Sequence, residues 1–182
     1  MPIFNTSASE LNDSSHITGR WFADLKCKIA NTGGKGLQKA LDGIMKEACE
    51  MVNGKVRAPG VLGRTPGVTT QAYHHDAKSG YSVIAALTDD YTVGVILGSH
   101  TMDDDRWNVG TFAEPGSCVQ LKLKKGEAIV FNGRLVHCGG PGRETEAVDG
   151  FYTTMSKQLV VFSDLGFHCY IDTTNHEPKN RK

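Results

Sequence analysis

Between Lys35 and Val52 the apolar residues Leu37, Ala40, Leu41, Ile44, Met45, Ala48, Cys49 and Val52 recur at steps of three and four. Lys39, Asp42, Lys46, Glu47 and Glu50 take much of the opposite side. That spacing predicts one amphipathic helix laid along a sheet, with Asn53-Gly54 as its stop. Beyond Gly54 the period changes to two. Strands are predicted at Val68 to Tyr73, Tyr81 to Leu87, Tyr91 to Leu97, Cys118 to Lys124, Ala128 to Phe131, Tyr152 to Phe162 and Phe167 to Ile171. The run Val119-Gln120-Leu121-Lys122-Leu123-Lys124 alternates without a fault. Lys125-Gly126-Glu127 and the short apolar run after it predict a hairpin. Thr88-Asp89-Asp90 and Asp164-Leu165-Gly166 read as turns. Arg57 to Gly67, dense in Gly, Pro and Arg, reads as a loop. Short strands so punctuated argue for a mainly β sandwich or barrel with an N-terminal helix packed on the sheet.

Composition narrows the class. The 182 residues suit one domain, expected to span 16–174 between a flexible, Ser/Asn/Asp-rich N-terminus (1–15) and a polar, flexible tail (175–182). The 20 Lys and Arg balance the 20 Asp and Glu, so nonspecific binding to nucleic acid is not expected. No apolar run approaches the roughly 20 residues of a membrane-spanning helix, and no membrane partner is expected. The opening Met1-Pro2-Ile3-Phe4-Asn5 carries neither a basic nor an apolar leader segment. Cys27, Cys49, Cys118, Cys138 and Cys169 are odd in number and lack a CxxC, which suits reduced thiols and a cytoplasmic location. Glycine, at 21 of 182, exceeds its usual share of about 7% and implies many tight turns.

The chemistry concentrates in Gln71-Ala72-Tyr73-His74-His75-Asp76 and in Arg134-Leu135-Val136-His137. In extended backbone, residues two apart face the same way, so His74 and Asp76 can converge on one point. His137, following the apolar run 128–131, can complete the set from across a sheet. Two imidazoles and one carboxylate leave three octahedral positions open, the arrangement of non-haem Fe(II) oxygenases. Histidines held in a β-sandwich by ordinary hydrogen bonds are the other reading of the same residues.

The run from His74 to Gly142 resembles the Fe(II)/2-oxoglutarate-dependent dioxygenases, and most nearly their phytanoyl-CoA-hydroxylase-like branch. The matching words, in order, are the HxD of His74 and Asp76, Tyr81-Ser82-Val83-Ile84-Ala85-Ala86-Leu87-Thr88-Asp89, and Val95-Ile96-Leu97-Gly98-Ser99-His100. Gly126-Glu127-Ala128-Ile129-Val130-Phe131-Asn132-Gly133-Arg134 and His137-Cys138-Gly139-Gly140-Pro141-Gly142 complete the set. The resemblance covers roughly residues 68–162. It implies a double-stranded β-helix, a jelly-roll or cupin-like barrel, in which His74, Asp76 and His137 bind Fe(II). It further implies 2-oxoglutarate as co-substrate and O₂ as oxidant, yielding succinate, CO₂ and a hydroxylated or oxidatively demethylated substrate. The intact Asp76 favours hydroxylation over halogenation. The expected substrate is a small molecule or a single residue of an exposed polymer.

The family places a cation a short way beyond the distal His for the far carboxylate of 2-oxoglutarate. The usual Arg is missing here; Val148 and its acidic neighbours Glu144, Glu146 and Asp149 occupy the stretch. Lys157, on a predicted strand face with Leu159 and Val161, is the first replacement, and Arg143 the second. Gln71, Tyr73, Arg64, His100 and Trp107 are the expected pocket residues. A cupin-type metal protein or isomerase that does not use 2-oxoglutarate, and a non-enzymatic interaction module, are the alternatives to a dioxygenase.

Overall fold

The computed structural model describes residues 3–4, 11–12, 20–24, 34–102, 118–143, 151–155 and 158–173, with side chains described for 39–102, 118–143 and 163–173. Helix α1 runs Gly34–Val52. It ends where Asn53 turns to a φ of 50° and the Gly54 amide reaches back to the Cys49 carbonyl at 3.2 Å, a C-terminal capping bond. The face predicted to be apolar is the one that packs. Leu41 and Ala48 are buried against Val83, Ala85, Phe167, Cys169 and Ile171, with Ile44, Met45, Cys49 and Val52 at the margin. Burying a side chain such as Leu41 contributes about 1.5–3 kcal/mol over leaving it exposed.

The strands in chain order are β1 (Ile3–Phe4), β2 (Leu11–Asn12), β3 (Arg20–Asp24), β4 (Lys55–Arg64), β5 (Tyr81–Ala86), β6 (Tyr91–Ile96) and β7 (Cys118–Leu123). They continue with β8 (Ala128–Asn132), β9 (His137–Gly139), β10 (Phe151–Met155), β11 (Gln158–Phe162) and β12 (Asp164–Asp172). One sheet has the order β2-β3-β4-β12-β5-β8, a second β7-β6-β9, and a third β1-β10-β11. From β5 to β9 the chain passes from the first sheet to β6 and β7 of the second, back to β8 and again to β9, before β10 and β11 enter the third and β12 returns to the first. Ile84 and Ala86 of the larger sheet meet Tyr91, Val93, Val95 and Leu123 of the smaller in one buried cluster. The fold is therefore mainly β, a double-stranded β-helix with α1 on the outer face of its larger sheet. No described helix is long and apolar enough to cross a membrane.

Several local expectations are corrected. The run 118–131 is not a hairpin: β7 pairs with β6 and β8 with β5, so Lys125-Gly126-Glu127 carries the chain from one sheet to the other. Residues 57–64 are not loop but most of β4, paired with both β3 and β12. Their Gly and Pro content has a different cause. The register of β12 shifts between His168, opposite Gly60, and Tyr170, opposite Arg57. Ala58 and Pro59 form the bulge so created, where a residue lacking an N–H costs no ladder bond. Asp164-Leu165-Gly166 is the start of β12 rather than a turn. The single strand predicted over 152–162 is two strands that pair antiparallel, Met155 opposite Gln158. Val68 to Tyr73 forms no regular strand, although Gln71 and His74 bond to Gly139 and His137.

Candidate metal centre

The segment before β5 lies against β9. The His74 amide donates to the His137 carbonyl at 2.9 Å and the His137 amide to the His74 carbonyl at 2.8 Å. This isolated antiparallel bridge brings the two histidines side by side, and their rings sit 4.6 Å apart. One residue of each pair of alternating positions then points inward. On the HxD segment these are His74 and Asp76; on β9 it is His137, whose neighbour Cys138 faces the other way. His74, Asp76 and His137 each offer a ligand atom, and these atoms lie within 4.8 Å of one another.

The donor set is prepared for a cation. His74 Nδ1 lies 2.9 Å from the Ala72 carbonyl and His137 Nδ1 lies 3.0 Å from the Leu135 carbonyl. A carbonyl only accepts, so both Nδ1 atoms carry a proton, and it is Nε2 of each ring that faces the site. The Nε2 atoms approach Asp76 at 3.7 Å (His74, to Oδ1) and 3.5 Å (His137, to Oδ2). Burial pushes the His137 imidazole down to about 4, against the attraction of Asp76, so it is neutral at pH 7. Burial alone would raise the Asp76 carboxyl. The His168 hydrogen bond, the fields of His137 and His168 and the Ser82 hydroxyl outweigh it and hold the group well below the usual carboxylate range. Two imidazoles that turn Nε2 toward an ionised carboxylate fit a divalent first-row metal.

Two residues not singled out from the sequence complete the centre. His168 Nε2 donates to Asp76 Oδ2 at 3.0 Å, and the Ser82 hydroxyl donates to the same oxygen. His168 therefore presents an N–H rather than a lone pair, and its role is to orient the carboxylate. The Phe131 ring stands edge-on to His137 at 4.8 Å and covers its flank. The signal for His168 was present: in Phe167-His168-Cys169-Tyr170-Ile171 the residues at odd positions pack on α1, which sends His168 and Tyr170 to the opposite face.

The other expected residues are distributed widely. Gln71 is tied to β9, its Oε1 accepting from the Gly139 amide at 3.1 Å. Tyr73 points away from the triad, its hydroxyl against the Cys118 sulfur on the outer side of β6. His100 sits on the single turn Ser99–Thr101, which the Ser99 hydroxyl fastens to the Val136 amide at 2.8 Å. Arg57 pairs with Asp172 at 3.6 Å. Arg64, expected on a loop, is buried at the end of β4, its guanidinium 3.9 Å above the Tyr91 ring. Arg143 forms an ion pair with the buried Asp164 at 2.9 Å and donates to the Ser163 carbonyl. Lys157 and Trp107 lie outside the described residues.

No family model and no curated protein sequence matches the chain. Solved structures do. The chain is similar to SnoN, the non-haem α-ketoglutarate-dependent epimerase from nogalamycin biosynthesis, at 16% identity and a TM-score of 0.58, covering 88% of this chain and 65% of that one. SnoN in complex with Fe³⁺, α-ketoglutarate and nogalamycin RO gives 17% identity and a TM-score of 0.59, over 91% of this chain and 69% of the other. HygX from Streptomyces hygroscopicus, with nickel and 2-oxoglutarate bound, gives 12% and 0.51 over 88% and 72%. The chain spans only about two thirds of the length of SnoN. It shares the fold of these proteins.

Proposed function

We propose that the chain is an Fe(II)- and 2-oxoglutarate-dependent oxygenase of the phytanoyl-CoA-hydroxylase-like branch, with residues 16–174 as its catalytic domain. It acts in the cytoplasm on a small molecule or on one residue of an exposed polymer. The observation that carries this is the convergence of His74, Asp76 and His137, with each histidine's Nδ1 held on a backbone carbonyl so that Nε2 faces the site. His74 and His137 would hold the metal through nitrogen and Asp76 through oxygen. Ser82 and His168 keep the carboxylate aimed, and Phe131 keeps water from the flank of His137. When bound, Fe(II) supplies the redox chemistry that couples 2-oxoglutarate and O₂ to succinate, CO₂ and a hydroxylated or demethylated product.

Anaerobic addition of Fe(II) and 2-oxoglutarate should give a metal-to-ligand charge-transfer band near ~520 nm, which this ligand set produces with a chelated keto acid. Admitting air should release succinate. His74→Ala and His137→Ala should each abolish both signals. Metal uptake without the band or succinate identifies a cupin-type protein that does not use 2-oxoglutarate, and no metal uptake identifies an interaction module.

A further inference from the structure

Arg64 is 2% exposed, yet no carboxylate lies within ion-pairing distance of it among the described residues. Its cross-strand neighbour on β12 is Asp164, but that carboxylate is taken by Arg143 at 2.9 Å and by the Ser163 hydroxyl at 2.8 Å. The Arg64 guanidinium donates to the Thr92 carbonyl at 2.8 Å and to the Thr92 hydroxyl at 3.4 Å, and its Cζ sits over the Tyr91 ring, 3.9 Å from the centroid. Its Nε–H is buried with no acceptor. A guanidinium has five N–H donors, so most of this fork is unused. A buried charge without a counter-ion is costly unless an anion arrives to meet it.

The surroundings say where that anion comes from. Tyr91 belongs to the buried cluster between the two sheets, and its ring end occupies the place a side chain at Gly166 would take. Gly166 lies on the same face of β12 as His168, which touches Asp76. The step from His168 to Gly166 is two residues, about 6–7 Å along a strand. A ligand chelated at the metal by one end and extended along β12 therefore brings its other end toward the Arg64 and Tyr91 pair. Position 166 is glycine and supplies no cation of its own, whereas Arg64 reaches this end of the cluster from β4.

We infer that Arg64, projecting from β4, is the anchor for the distal carboxylate of the keto-diacid co-substrate, in place of a cation on the strand that follows the distal histidine. Arg143 is excluded from this role by its commitment to Asp164. The assignment rests on the oxygenase reading above, and the test separates the two.

The full chain, loaded with Co(II) without oxygen, is titrated calorimetrically with 2-oxoglutarate and with 2-oxobutyrate, which has the same chelating end and no distal carboxylate. The wild-type protein should prefer the diacid by on the order of a hundredfold, the worth of one to two charge-assisted hydrogen bonds. Arg64→Gln should abolish that preference while leaving the affinity for 2-oxobutyrate in place. Arg64→Lys, which keeps the charge and loses the fork, should retain the preference in part and serves should the Gln variant fail to fold. Arg143→Gln should keep the preference. A full preference in both Arg64 variants, or its loss in Arg143→Gln, overturns the assignment. So does a wild-type protein that binds both keto acids equally. A wild-type protein that binds metal but neither acid overturns the oxygenase reading instead.

Discussion

Asp76 and His137 are neighbours whose environments push both toward the protonation state a metal ligand needs. The same burial that penalises the Asp76 charge removes the His137 charge, and only Asp76 receives enough donors to resist it. This has a cost in acid. The unfolded His137 takes up a proton below its ordinary value near 6.5, whereas the folded one does so only near 4. Between those two values the unfolded state binds more protons, so stability falls as the pH falls. The penalty is complete below about 4 and amounts to about 3 kcal/mol at most. The Asp76 contribution has the same sign: it is present above about 3.8 and is lost below it. In the metal-free protein the urea midpoint should therefore decline from pH 6.5 to 4, and His137→Gln should remove most of that slope. A slope unchanged in the variant would place the acid-sensitive group elsewhere. The two donors to Asp76 Oδ2 make a separate prediction. Ser82→Ala and His168→Ala should each weaken Co(II) binding by roughly 10–100-fold, the usual effect of losing a group that orients a ligand. Equal affinity in competition with a chromogenic chelator would show that Asp76 needs no such support.

Strand β12 shows how one element serves two purposes. Phe167, Cys169 and Ile171 are buried against α1, while His168 faces Asp76 and Gly166 faces Tyr91. Substitutions on the two faces should differ in kind. Phe167→Ala empties a fully buried position and should cost about 3–5 kcal/mol in denaturant unfolding. Gly166→Ala places a methyl group inside the contact radius of the buried Tyr91 ring and should cost about 1–3 kcal/mol by overpacking. A neutral Gly166→Ala would mean that the ring has room to move. Helix α1 and strands β5, β6, β7 and β8 were legible in the sequence to within a residue or two, because each carries a clean period of 3.6 or 2. Strand β4 was not, because its bulge consumes a proline and an alanine and its pairing positions include glycines. The division of 152–162 was hidden for the opposite reason: β10 and β11 carry an unbroken strand-forming composition, and only their pairing register reveals two elements. The false hairpin at 118–131 marks the limit of local reading, since turn residues do not say whether the next strand pairs with the last or crosses to another sheet.

The candidate centre depends on the whole molecule, which is why the sequence singled out His74, Asp76 and His137 and not the residues that surround them. His74 and Asp76 stand in one short word and His137 in another, whereas Ser82, Phe131 and His168 come from three strands of the larger sheet. Ser82 and His168 reach Asp76, Phe131 reaches His137, and His137 belongs to the smaller sheet. A metal held by His74, Asp76 and His137 would be fastened to both sheets, an arrangement the unfolded chain does not offer. Binding linkage then makes unfolding dependent on metal: at a free concentration of 100 times its Kd, the ligand stabilises the folded state by about 2.7 kcal/mol. For a chain of this size that corresponds to a rise in Tm of roughly 5–10 °C. The rise should be seen with Co(II) or Ni(II), should increase further with 2-oxoglutarate present, and should vanish in His74→Ala and His137→Ala. Because Arg64 is proposed to meet the second ligand from β4, Arg64→Gln should keep the increment from metal and lose most of the increment from 2-oxoglutarate. Equal metal-dependent shifts in wild type and in His137→Ala would place the metal somewhere other than between the two sheets.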